Sequence, residues 1–156
     1  MVTRRIFFLF LLLLFCNNLA YAEKMSEQLV LQMAKDDQDV KQCVDQGGAS
    51  KTGELLTPRK IFLSNKKVEL IVEANVASDD CILCGSRRCN KWVYQNTAKG
   101  YKLLLTIEGA DEIKPISSST NGLHDLQVIY PAGNSYPASQ EIYKFDGKRY
   151  PKYKSH

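Results

Sequence analysis

Four cysteines, Cys43, Cys81, Cys84 and Cys89, spaced unevenly behind an export-type leader, restrict this chain more than any other feature. The leader has a basic start, Arg4 and Arg5, and an uninterrupted apolar run of eleven residues from Ile6 to Cys16. Asn17 to Ala22 follows, with Ala20 and Ala22 at the positions a signal peptidase reads. The expected cut lies between Ala22 and Glu23, leaving residues 23–156 as a single domain. An apolar run of this length is well short of the roughly 20 residues a spanning helix requires, so no transmembrane anchor is expected. Leu14 and Phe15 precede Cys16 where lipoprotein processing needs small residues, so Cys16 is expected to leave with the leader. The expected address is export, to the periplasm or beyond the cell.

In an oxidising compartment an even number of cysteines reads as disulfides. Four cysteines allow three pairings, which sequence alone does not separate. The pairing expected here is Cys84–Cys89, closing a short loop, with Cys43–Cys81 as a long staple. In the entropic account each contributes about 2–4 kcal/mol. Cys81-x2-Cys84 also has zinc-like spacing, but neither Cys43 nor Cys89 completes a structural zinc set. No metal or other cofactor is expected.

Removing residues 1–22 takes two basic and no acidic side chains, so the formal net charge falls from +4 to +2. That balance gives no reason to expect nucleic-acid binding. The most basic stretch is Lys144, Lys148, Arg149, Lys152 and Lys154 at the end of the chain, best read as a solvated face.

Leu29, Met33, Val40 and Val44 share one face at helical spacing, predicting one helix over residues 26–46. Ser26 would cap its start and Gly47-Gly48 would stop it. Further on the period changes to two. Val68, Leu70 and Val72 alternate with Glu69, Ile71 and Glu73 and predict a half-buried strand, paired through residues 64–67 with a strand at 59–63. A second hairpin is expected from 91–95 and 101–107, with Tyr101, Leu103, Leu105 and Ile107 facing inward. Strands at 126–130 and 141–145 close the list, separated by a loop rich in proline and glycine over 131–140. The expected fold is α+β: an N-terminal helix packed on an antiparallel β-sheet of about six or seven short strands, disulfide-stabilised.

Cys84-Gly85-Ser86-Arg87-Arg88-Cys89, Thr120-Asn121-Gly122-Leu123-His124-Asp125-Leu126 and Phe145-Asp146-Gly147-Lys148-Arg149-Tyr150 occur in that order. In this the chain resembles a loose group of small secreted or periplasmic bacterial domains of unknown function. They share a Cys-Gly-x-x-x-Cys loop, a Thr-Asn-Gly-x-x-Asp-Leu segment and an aromatic-Asp-Gly-x-x-Tyr ending. The resemblance covers roughly residues 61–150 and implies export, a β-rich domain and a Cys84–Cys89 bridge; it implies no activity. Members of the group carry an Asp-rich turn where this chain has Ser64-Asn65-Lys66-Lys67. A calcium site at Asn65 and Glu69 is therefore not expected.

Catalytic readings are thin. His124 has Ser117, Ser118, Ser119 and Asp125 close by, but no Gly-x-Ser-x-Gly surrounds those serines. Glu69 and Glu73 lie four apart on a strand, separated by roughly 13 Å, too far for glycosidase-type carboxylates. No catalytic residue is assigned. Tyr130, Tyr136, Tyr143, Tyr150 and Tyr153 crowd the last quarter, and tyrosines in loops suit recognition. The reading is a non-enzymatic binding domain for a protein of the envelope or extracellular space, in an inhibitor or immunity-type role. Arg87, Arg88 and Tyr136 are its candidate contact residues. The alternatives are a small envelope hydrolase, or a carbohydrate-binding module using the C-terminal tyrosines.

Overall fold

The computed structural model describes residues 25–64, 67–75, 81–85, 89–133 and 137–152. The expected leader lies outside them. The described residues form two helices, α1 (Glu27–Asp36) and α2 (Gln38–Glu54), then seven antiparallel strands: β1 (Leu56–Ser64), β2 (Lys67–Ala74), β3 (Lys91–Thr97), β4 (Gly100–Ile107), β5 (Glu112–Thr120), β6 (Leu123–Tyr130) and β7 (Ser139–Tyr143). β1-β2-β3-β4 make one sheet and β5-β6-β7 another, each in sequence order. The class is α+β and disulfide-stabilised, with Cys43 bonded to Cys81 and Cys84 to Cys89. Among the described residues, no helix is long and apolar enough to cross a membrane.

The single helix expected over 26–46 is two helices, and Asp37 is the reason. Its backbone is extended (φ −139°, ψ 125°), and its carboxylate accepts hydrogen bonds from the Asp39 and Val40 amides at 2.9 and 3.2 Å. Asp37 therefore ends α1 and caps α2, where an acidic side chain also meets the positive end of the helix dipole. Ser26 caps α1 through the Leu29 amide at 3.2 Å. The expected stop at Gly47-Gly48 is instead a kink: Gly48 takes φ 78° and ψ 162°, open to glycine, and helix resumes to Glu54.

One sheet was expected and two are found, which changes the burial of β2. Its predicted outward residues, Glu69 and Ile71, are fully buried, while Val68, predicted inward, is exposed. Leu29, Val30, Met33 and Val40 of the helices share one apolar cluster with Val72, Trp92 and Tyr94 of the first sheet. Ile71, Val93 and Leu105 form a second cluster with Ile113, Leu126 and Val128 of the other sheet. The first sheet thus has apolar partners on both faces, so alternation could not name its inner face. In β4 the register shifts opposite Val93/Tyr94. Tyr101 and Leu103 join the helix-side cluster, whereas Leu104, Leu105 and Ile107 join the other.

The unpredicted strand is β5. Pro115 and the polar run Ser117 to Thr120 disguise it, yet Pro115 pairs with Leu126. β5 is an edge strand, where a missing N–H is tolerated. Asn121 and Gly122, both at positive φ (51° and 83°), turn it into β6. Arg59 Nη2 donates to the Ile113 carbonyl at 3.1 Å, and the Tyr150 amide donates to Leu104 O at 2.9 Å, joining the sheets.

Candidate functional site

Both disulfides fasten the segment that leads into β3. The Cys43–Cys81 bridge spans 38 positions and ties α2 to that segment; Cys84–Cys89 spans five and closes a backbone pairing between the same two residues. Cys81, Leu83 and Cys84 are buried in the helix-side cluster. The Asn90 amide donates to Leu83 O at 2.9 Å, and the Ala74 amide to Asn90 O at 3.1 Å, which seats the segment on β2. Ile82 is the exception: it is 72 % exposed between buried neighbours. Of the candidate contact residues, Arg87 and Arg88 between the cysteines and Tyr136 before β7 lie outside the described residues. Their flanks share one end of the molecule. The β2–β3 and β6–β7 connections leave from the ends of the sheets near which Arg59 and Ile113 are bonded.

His124, Ser118, Ser119 and Asp125 do come together, but not as a nucleophilic site. Ser119 Oγ lies 3.2 Å from His124 Nδ1, while the Ser118 hydroxyl donates to Asp125 Oδ2 at 2.7 Å. A triad needs the carboxylate to orient the imidazole while the other ring nitrogen faces the serine. Here Asp125 and His124 are consecutive on β6, each engages its own serine, and the two pairs are not relayed. Among the described residues, no group of three His, Cys, Asp or Glu side chains is placed to hold a metal ion.

The carboxylates are also engaged. Glu69 is wholly buried (0 % exposed); its Oε2 accepts from the Leu63 amide at 3.0 Å across the shifted β1–β2 pairing. Glu73 bridges Lys91 at 3.1 Å and Arg59 at 3.6 Å. Glu69, where no calcium site was expected, accepts from a backbone N–H; Asn65 lies outside the described residues.

Of the late tyrosines, Tyr143 and Tyr150 are core residues rather than an exposed platform. The Tyr143 hydroxyl donates to Glu141 Oε2 at 2.9 Å, and that of Tyr150 to the His124 carbonyl at 2.7 Å. Burial pushes both phenols well above the usual tyrosine range; a hydrogen bond with Tyr130 adds to the first, and the charges of Glu69 and Asp125 to the second. Tyr153 lies outside the described residues.

A site that sequence reasoning passed over is a cleft of about 570 Å³ beside β7, lined by Ser118, Asp125, Gln140, Glu141, Ile142 and Lys152 among others. Burial alone would raise the Glu141 carboxyl, but hydrogen bonds from Lys152 and Tyr143 outweigh it and hold the group below its usual range. No sequence signal marked it, since an acidic residue next to the core residue Leu126 is ordinary strand alternation. Comparison with protein-family models, curated proteins and solved structures gives no match.

Proposed function

We propose that this chain is an exported, non-enzymatic domain that binds another protein of the envelope or extracellular space, in an inhibitor or immunity-type role. The likeness to small exported bacterial domains agrees with that address. The observation that carries the reading is the doubly fastened segment before β3. Cys81, Leu83 and Cys84 are anchored in the core, and the Cys84–Cys89 bridge fixes both ends of the loop that carries Arg87 and Arg88. Loop ends held in place before binding lower the ordering cost of association. Guanidinium groups carried there suit bidentate pairing with carboxylates in an acidic cleft. Ile82, 72 % exposed in the same fastened segment, supplies apolar area, and Tyr136 is proposed as a further contact on residue type alone.

The hydrolase alternative has one favouring contact, Ser119 to His124. It fails on the carboxylate, which serves Ser118 instead. It predicts turnover of peptidoglycan or an ester that His124→Ala abolishes while the fold survives.

The test is affinity capture from envelope and culture-supernatant proteins with the oxidised protein, followed by titration of the purified partner. Arg87→Ala with Arg88→Ala should weaken binding by about tenfold or more, the range of interfacial hot spots. Unchanged affinity in the double variant would remove the loop from the account.

A further inference from the structure

Asp125 is the least expected residue in the molecule. It alternates along β6 with the core residue Leu126, which puts it on the face of the second sheet turned from the first, yet it is only 1 % exposed. Its two oxygens are treated unequally. Oδ2 accepts from the Ser118 hydroxyl at 2.7 Å, and Oδ1 has no hydrogen-bond partner. A buried acceptor without a donor is destabilising, so a fold that keeps one has a use for it or a visitor that satisfies it. Asp125 lines the 570 Å³ cleft, a volume within the range of small-molecule sites.

The surroundings indicate the visitor's chemistry. Four charged side chains line the cleft, Asp125 and Glu141 against Lys144 and Lys152. Their formal charges balance, so a cation or an anion would meet a like charge along with its partner. A neutral ligand with hydroxyl donors meets no such penalty. Gln140 and the Ser118 oxygen add short-range polar partners, and Ile116 and Ile142 offer apolar surface to the C–H face of a ring. From this we infer that the cleft is a binding site for a neutral saccharide, with Asp125 Oδ1 accepting a hydrogen bond from a sugar hydroxyl. The site is independent of the Cys84–Cys89 loop and does not use the late tyrosines as a stacking platform.

The experiment is an amide NMR titration of the oxidised protein with cellobiose, maltose and N,N′-diacetylchitobiose at millimolar concentration. At least one is expected to give saturable shifts at Ser118, Asp125 and Ile142. Asp125→Ala should weaken that binding by about tenfold or more, the effect of losing a hydrogen bond to a charged group. Should Asp125→Ala fail to fold, Ile142→Trp, which fills the cleft, is expected to abolish the same shifts. Saturation by none of the three sugars overturns the inference. So does unchanged affinity in Asp125→Ala or Ile142→Trp, or shifts at these residues produced by methylammonium or phosphate but by no sugar.

Discussion

The molecule has two cores built on different terms. The helix-side core, around Trp92, Tyr94, Met33 and Leu83, contains all four cysteines, with Cys89 at its margin. Its polar connections join helix to strand: Trp92 Nε1 donates to Asp37 Oδ2 at 2.8 Å and the Tyr94 hydroxyl to Asp36 Oδ2 at 3.2 Å. The inter-sheet core, around Ile71, Leu104, Leu126 and Tyr143, contains no cysteine. It is closed by strand pairing, and the buried Glu69 carboxylate ties β1 to β2 through the Leu63 amide. The contrast shows why this chain uses cross-links where it does. Two short helices gain little stability of their own and depend on tertiary packing, whereas the strands are held by their ladders.

The long disulfide offers the largest perturbation of that contrast. Replacing Cys43 and Cys81 by alanine should cost about 4 kcal/mol by loop entropy, against about 2 for Cys84 and Cys89, read as urea midpoints. Hydrogen exchange in the first variant should quicken in α1 and α2 while amides of β6 stay protected. Uniform loss across both cores would dissolve the distinction.

Next comes Asp37→Ala. One substitution removes the cap of α2 and leaves the buried Trp92 N–H without its acceptor, an expected cost of about 2–4 kcal/mol. Trp92 is the only tryptophan, so its emission reports the helix-side core alone. The same replacement at Asp36 should cost less, because Asp36 caps nothing and its Tyr94 bond is longer.

Alkaline titration probes both cores together. Tyr94, Tyr143 and Tyr150 are all held above the ordinary value of 10, chiefly by burial, with Asp36 adding to the first. The unfolded chain releases these phenolic protons first, so stability should fall as pH rises above 10. Absorbance should show these three ionising only with unfolding. Ionisation of all tyrosines at one ordinary value in the folded protein would contradict their burial.

The smallest effect is expected at Glu141, whose contribution is screened by solvent. Its carboxyl lies below the usual 4.5 in the folded protein. The contribution is therefore present above that pH and lost as the pH falls through the folded value. Glu141→Gln should remove that acid-side decline and leave the neutral-pH midpoint nearly unchanged.

The α+β class and the presence of two disulfides were legible, because an even cysteine count and strand periodicity are read along the chain; which cysteines pair was not fixed by sequence alone. What escaped depended on partners remote in sequence. β2 reads as half-buried until a second sheet covers Glu69 and Ile71. β5 reads as loop because Pro115 and four polar residues are acceptable only on an edge. Asp37 fell inside the single helix expected over 26–46, although Asp is a favoured N-cap residue. The Asp125 cleft needed β5, β6 and β7 assembled around one carboxylate, and no spacing in the sequence announces that. Arg87, Arg88 and Tyr136 rest on residue type alone.

The proposed function makes the stapled end the recognition end. The most direct measurement is the affinity of the captured partner for the oxidised protein and for Cys84→Ala with Cys89→Ala, whose Cys43–Cys81 bridge and Trp92 emission remain intact. Binding weakened by about tenfold or more, with no change in sugar binding at Asp125, is the expected result. Equal affinity in the two proteins would contradict the account.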